Sequence, residues 1–175
     1  MSFNITPPPS EMEKRDEVLA KAYTNLIYFG RAFLPNDFLK KSESAPFHYE
    51  MAEKMIDTAP GARICNIIPR GHGKSVVAKA AIMHKLCFAQ EGDQHFIAWV
   101  SEEQSQAIDH LKYIRSHFEN NKMIRYYFGN MDGGSVGKRW TEKDLVTPKG
   151  DRVISKGTSQ RLRGRAEVDV RYTGI

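Results

Sequence analysis

An α/β fold, with a parallel sheet flanked by helices, is predicted by three features of this 175-residue sequence. A short apolar run over residues 63–68 ends in a glycine-rich loop, as a buried strand of such a sheet does. The segment after it, residues 75–90, runs on without a breaker and is apolar almost all round, the pattern of a helix buried against a sheet. A second apolar run, residues 96–100, is again followed by a segment of helical period. Strand, helix, strand, helix in that order places the strands parallel and the helices across their faces.

The remaining elements follow in chain order. Residues 1–10, with three consecutive prolines at 7–9, read as a disordered leader. From Glu11 the pattern is helical: Val18, Leu19, Ala22, Tyr23, Leu26 and Ile27 recur at steps of three and four, and Gly30, Pro35 and Asn36 end the helix. Residues 46–57 form a second helix, with Pro46 in its first turn and Pro60-Gly61 beyond its end. These two make an N-terminal helical lead-in over residues 11–60, ahead of a core over 61–175. After the second strand, Ser101 is the expected N-cap and Gln104 completes a capping box. Ala107, Ile108, Leu111, Ile114 and Phe118 mark the inner stripe of the helix it opens. Residues 129–137 hold four glycines and form a loop. Residues 144–147 and 152–155 flank Pro148-Lys149-Gly150-Asp151, which predicts a β-hairpin. Residues 156–165 are polar and basic, and 172–175 turn apolar again just where the sequence stops, as a truncated chain would.

Composition bounds the function. Hydrophobic residues at 41% and charged residues at 27% exclude wholesale disorder. A formal charge of +5 permits a polyanionic partner such as DNA without requiring one. Cys65 and Cys87 both stand in apolar surroundings, neither a disulfide framework nor a zinc spacing, and read as two reduced core thiols. The most apolar stretch, residues 76–89, is broken by Lys79, His84 and Lys85, so no membrane span is expected. The leader is polar rather than basic then apolar, unlike a signal peptide. A soluble intracellular protein is the expectation.

The chemistry lies in Ile68-Pro69-Arg70-Gly71-His72-Gly73-Lys74-Ser75. A Walker A loop is written G-x-x-x-x-G-K-[ST], and here Ile68 replaces the first glycine. Gly71 and Gly73 let backbone amides approach phosphate and turn inward as an anion nest, and the following helix points its positive end at the same place. Lys74 is expected to reach the β- and γ-phosphates of ATP, and the Ser75 hydroxyl to join the Mg2+ shell. Gly-Lys-Ser/Thr arises by chance roughly once in ten chains of this length. The second glycine and the flanking strand and helix bring that well under about one in a hundred, so nucleotide binding is the reading to carry forward. Arg70, inside the loop, is a candidate for contact with the γ-phosphate, with a surface salt bridge as its other reading. The side chain of His72 is assigned no chemistry. Arg161, Arg163 and Arg165, around Gly164, are candidates for phosphate contact, either with ATP of a neighbouring subunit or with DNA.

These residues resemble the N-terminal ATPase domain of the large terminase subunit of tailed bacteriophages. Phe47-His48 stands where that family often carries an aromatic-rich motif on the adenine side, and Pro69 to Ser75 is similar to its variant Walker A, which commonly lacks the first glycine and carries an early arginine. Residues 97–101 with the helix after them, Trp140, the hairpin and Leu162-Arg163-Gly164 resemble the units leading to Walker B. The resemblance covers residues 30–175 and implies a RecA-like (ASCE) P-loop NTPase fold with a β-hairpin insertion. It implies a motor that hydrolyses ATP to drive double-stranded DNA through a portal protein into a procapsid. Its partners would be a small terminase subunit and further copies in a ring, without a membrane, in the host cell cytoplasm. By the same resemblance Phe47, His48, Pro69, Gly71, His72, Gly73, Lys74 and Ser75 hold the nucleotide, with Ser75 on the metal, while Arg70 and Arg163 act in catalysis; Arg163 is the first candidate for the arginine finger, Arg161 and Arg165 are weaker ones, and Arg70 is chemically competent for the role too. Walker B, with its carboxylate pair, and the C-terminal nuclease domain are expected beyond Ile175. The sequence as it stands is therefore expected to bind nucleotide weakly and to turn it over very slowly. Two alternatives remain beside this reading: a cellular helicase-like P-loop translocase, and a P-loop small-molecule kinase.

Overall fold

The computed structural model describes residues 9–38, 43–57, 63–90 and 92–159. Among the described residues, four helices lead in: α1 (Pro9–Thr24), α2 (Leu26–Phe33), α3 (Pro35–Phe38) and α4 (Pro46–Ile56). The single helix expected from Glu11 is two, because Asn25 interrupts it. Asn25 takes an extended conformation and its side chain accepts the Tyr28 amide at 2.9 Å, capping α2. Gly30 does not end a helix but lies inside α2, where a Cβ would stand 2.5 Å from the Phe38 ring. Close packing of α3 on α2, not termination, accounts for glycine there. α1 begins at Pro9, two residues inside the expected leader, whose first eight residues lie outside those described.

The core elements are α5 (Lys74–Cys87), β1 (Phe96–Ser101), α6 (Gln104–Asn120), α7 (Lys122–Phe128), β2 (Asp144–Val146) and β3 (Arg152–Gly157). Sheet order is β1-β3-β2. β1 and β3 pair in parallel from Phe96 opposite Arg152 to Ser101 opposite Gly157. β2 and β3 pair antiparallel, with Leu145 opposite Val153, which is the expected hairpin. Its turn is tied to the start of β1: the buried Asp151 carboxylate accepts the Thr147 hydroxyl at 3.1 Å and the His95 amide at 3.0 Å. α6 crosses between the parallel strands and packs on both.

Three further expectations are corrected. Residues 63–68 form no strand, because among the described residues nothing pairs with them; Ile64 and Ile67 are 40% and 93% exposed. Cys65 is accordingly exposed rather than in the core, whereas Cys87 is buried and its thiol is held well above the ordinary range by desolvation. Ser101 does not cap α6: it is the last residue of β1, the cap position belongs to Glu103, and no capping box forms. The described architecture is thus α/β with a three-stranded mixed sheet, short of the full parallel sheet of a P-loop NTPase.

The main core joins the lead-in to the sheet. Phe29, Phe33, Met83, Leu86, Leu111, Ile114 and Val153 are all buried in one cluster. The α6 stripe is as expected at Ala107, Leu111, Ile114 and Phe118. Among the described residues, no helix is long and apolar enough to cross a membrane.

Candidate functional site

The glycine-rich loop turns at Arg70-Gly71 and runs straight into α5, which begins at Lys74. Gly71 (φ +82°) and Gly73 (φ +72°) are both left-handed, a region that side-chain-bearing residues adopt only at a cost. Gly73 is the N-cap, and its carbonyl accepts the amides of Val76 at 2.9 Å and Val77 at 3.0 Å. The amides of Gly73, Lys74 and Ser75 therefore precede the first intrahelical bond, the place where a helix start has donors to spare.

The carbonyls around them are already engaged. Lys74 Nζ donates to the Ile68 carbonyl and, at 3.0 Å, to that of Pro69. His72 Nδ1 donates to the Arg70 carbonyl at 2.9 Å. The His72 carbonyl lies 2.9 Å from His48 Nε2, and His48 Nδ1 accepts the Ala45 amide at 3.0 Å. That last bond places the imidazole proton on Nε2. Phe47 lies tilted beside it, its ring centroid 4.1 Å from that of His48 and 6.1 Å from that of His72. The carbonyls of Ile68, Pro69, Arg70 and His72 thus each meet a donor within the protein.

The structure therefore gathers Phe47, His48, Pro69, Arg70, Gly71, His72, Gly73, Lys74 and Ser75 at one place, although the first two come from α4. Pro69, Arg70, Gly71, His72 and Ser75 are exposed. Lys74 closes the loop on its own carbonyls, so meeting a phosphate would mean exchanging neutral acceptors for charged ones, which are the stronger partners. Arg161, Arg163 and Arg165 lie outside the described residues. Among the described residues, no group of three or more His, Cys, Asp or Glu side chains gathers as a metal cage.

Behind the loop, a cleft of about 130 Å³ is lined by Phe38, Glu43, His48, Gly73 and Val76, with Asp37 among its walls. The Tyr113 hydroxyl donates to Asp37, and Lys79 Nζ sits 3.6 Å from the centroid of the Tyr113 ring. Burial pushes Lys79 below the ordinary lysine range, against the opposing pull of Asp37, and burial chiefly raises Tyr113. This cluster braces α5 against α3 and α6. Sequence spacing did not reveal it, since its members are 76 residues apart in the Tyr113–Asp37 case. The one available signal was a lysine interrupting the apolar helix at position 79.

No protein-family model, curated protein or solved structure matches this chain.

Proposed function

We propose that the loop from Pro69 to Ser75 binds the phosphates of Mg-ATP, and that the chain is the ATPase part of a DNA-packaging motor of the terminase kind, working in the host cell cytoplasm. The observation that carries the nucleotide reading is the pair of left-handed glycines, Gly71 and Gly73, leading directly into a helix that starts at Lys74. The nest of amides fits an oligophosphate. The exposed Ser75 hydroxyl in the first turn fits the single side-chain oxygen that Mg2+ takes in such loops, the rest of its shell being phosphate and water. When bound, the metal offsets negative charge on the phosphates.

In this reading Lys74 moves from the Ile68 and Pro69 carbonyls onto the phosphates, and Arg70 meets the terminal one. Phe47 and His48 border the site from α4. Arg163 is the proposed finger toward a neighbouring copy, and double-stranded DNA, the small terminase subunit and the portal are the proposed partners. The packing-motor assignment rests on the resemblance of the loop, the strand-helix unit and the hairpin taken together.

Calorimetric titration of the chain with Mg-ATP tests the nucleotide reading. Binding is expected for the wild type, with a loss of at least about tenfold in Lys74→Ala. Equal affinity of the two proteins would overturn it. The motor assignment is tested by adding double-stranded DNA over a salt series: affinity should fall steeply as salt rises, and no affinity at low salt would remove it.

A further inference from the structure

We propose that His48 is a positioning residue that aims the Gly73 amide at phosphate. The proposal rests on the phosphate-binding reading of the loop and deepens it, giving His48 a backbone-orienting role in place of contact with a base.

The geometry is that of one peptide unit. A trans peptide is planar, with its C=O and N–H directed to opposite sides, and among the described residues no peptide bond is cis. His48 Nε2 donates to the His72 carbonyl at 2.9 Å. The N–H of the same unit belongs to Gly73, so holding that oxygen against α4 turns the Gly73 amide the other way. It then stands with the amides of Lys74 and Ser75, which also lie ahead of the first intrahelical bond. A free Gly73, with φ unrestricted by a Cβ, has a low barrier to flipping this unit. A flipped unit would present an oxygen to the phosphate in place of a donor.

The imidazole is itself held. The Ala45 amide donates to its Nδ1 at 3.0 Å, which both selects the tautomer with the proton on Nε2 and fixes the ring plane. Phe47 covers it, with ring centroids 4.1 Å apart. Gly73 lies close under the ring: a Cβ there would stand 3.4 Å from Nε2, in van der Waals contact. The chain thus runs from the start of α4, through His48, to the orientation of one amide at the start of α5.

The test uses the whole chain and three variants beside the wild type. His48→Ala removes the donor, and a Kd for Mg-ATP raised about tenfold is expected. His48→Gln restores a donor to the His72 carbonyl and an acceptor for the Ala45 amide, so it should stay within about threefold of wild type. Ala45→Pro removes the amide that orients the ring, at a φ of −68° that proline adopts, and sets the proline Cδ where that N–H pointed, so the ring loses its bond and must turn aside; a loss of at least about threefold is expected. Amide NMR gives the independent readout: the Gly73 resonance should move on adding inorganic triphosphate in the wild type and in His48→Gln, and not in His48→Ala. If His48→Ala does not fold, Ala45→Pro and the Gly73 resonance carry the decision. Wild-type affinity in both His48→Ala and Ala45→Pro, or failure of His48→Gln to differ from His48→Ala, overturns the proposal alone. Absence of any response to triphosphate in the wild type overturns the phosphate reading and this proposal with it.

Discussion

The Lys149 ammonium, in the turn of the β-hairpin, donates to the Ala89 carbonyl at 2.9 Å, just past the last turn of the loop helix. It also reaches the Cys87 carbonyl at 3.2 Å. The C-terminal end of a helix carries unpaired carbonyls and partial negative charge, and a cation there answers both. The hairpin therefore holds the far end of the helix whose near end forms the glycine-rich loop. Lys149→Met keeps the apolar stem and removes the charge. It is expected to cost about 1 kcal/mol. A urea unfolding curve should show a lower midpoint with an unchanged slope. An unchanged midpoint would mean that the hairpin does not secure α5.

Gly30 and Phe38 offer a second stability test, in the lead-in. A Cβ at position 30 would lie 2.5 to 2.6 Å from three carbons of the Phe38 ring, so the buried ring must shift. Gly30→Ala is expected to destabilise by about 1–3 kcal/mol, despite the better helix propensity of alanine. Phe38→Leu relieves the clash, so the two substitutions should be non-additive in a double-mutant cycle. Strict additivity would show that α3 does not pack on α2 as described.

What could be read from the sequence divides by how local its cause is. The hairpin was legible because Pro148-Lys149-Gly150-Asp151 sets its own turn. The inner stripe of α6 was legible because burial at steps of three and four needs no knowledge of the partner. Residues 63–68 misled for the opposite reason: an apolar, β-branched run looks like a strand, yet a strand exists only with a ladder partner, and Ile67 is 93% exposed. Asn25 was passed over because the apolar period runs straight through it from Ala22 to Leu26. Of the site, the loop itself was legible, since glycine at two positions before Lys-Ser permits the left-handed backbone that the loop adopts. The bond from His48 to the His72 carbonyl spans 24 residues and depends on how α4 meets α5, which no spacing rule supplies.

His84 gives the pH prediction. Its ring lies against the C-terminal end of α1, with Nε2 3.0 Å from the Ala22 and Tyr23 carbonyls. Burial pushes its pKa down, and the two backbone bonds only partly oppose this. The native state thus keeps His84 neutral where an unfolded chain, titrating near about 6.5, binds a proton. The unfolded state then binds more protons, so stability falls as pH drops below about 6.5. Burial lowers His95, His110 and His117 as well, with the same sign. Urea midpoints measured from pH 7.5 to 5 should fall. His84→Gln keeps a donor for the carbonyls without a titrating ring, and should flatten part of that fall. A midpoint that rises toward acid, or an identical slope in the variant, would contradict this burial.

The two left-handed glycines of the loop separate backbone strain from contact with the His48 ring. Gly71 has φ +82° with nothing within 4 Å of where a Cβ would stand, whereas at Gly73, φ +72°, a Cβ would meet His48 Nε2 at 3.4 Å. Asparagine tolerates the left-handed region better than other residues with a side chain. Gly71→Asn should therefore fold and keep Mg-ATP affinity within about fivefold of wild type, given the phosphate reading. Gly73→Asn meets the same strain and in addition sets a side chain against the imidazole that holds the His72 carbonyl. A loss of at least about thirtyfold is expected there. His48→Ala in the Gly73→Asn background vacates the crowded position but also removes the latch, so affinity should not recover. Recovery would mean that crowding alone weakened the loop, and that the orientation of the Gly73 amide does not depend on His48.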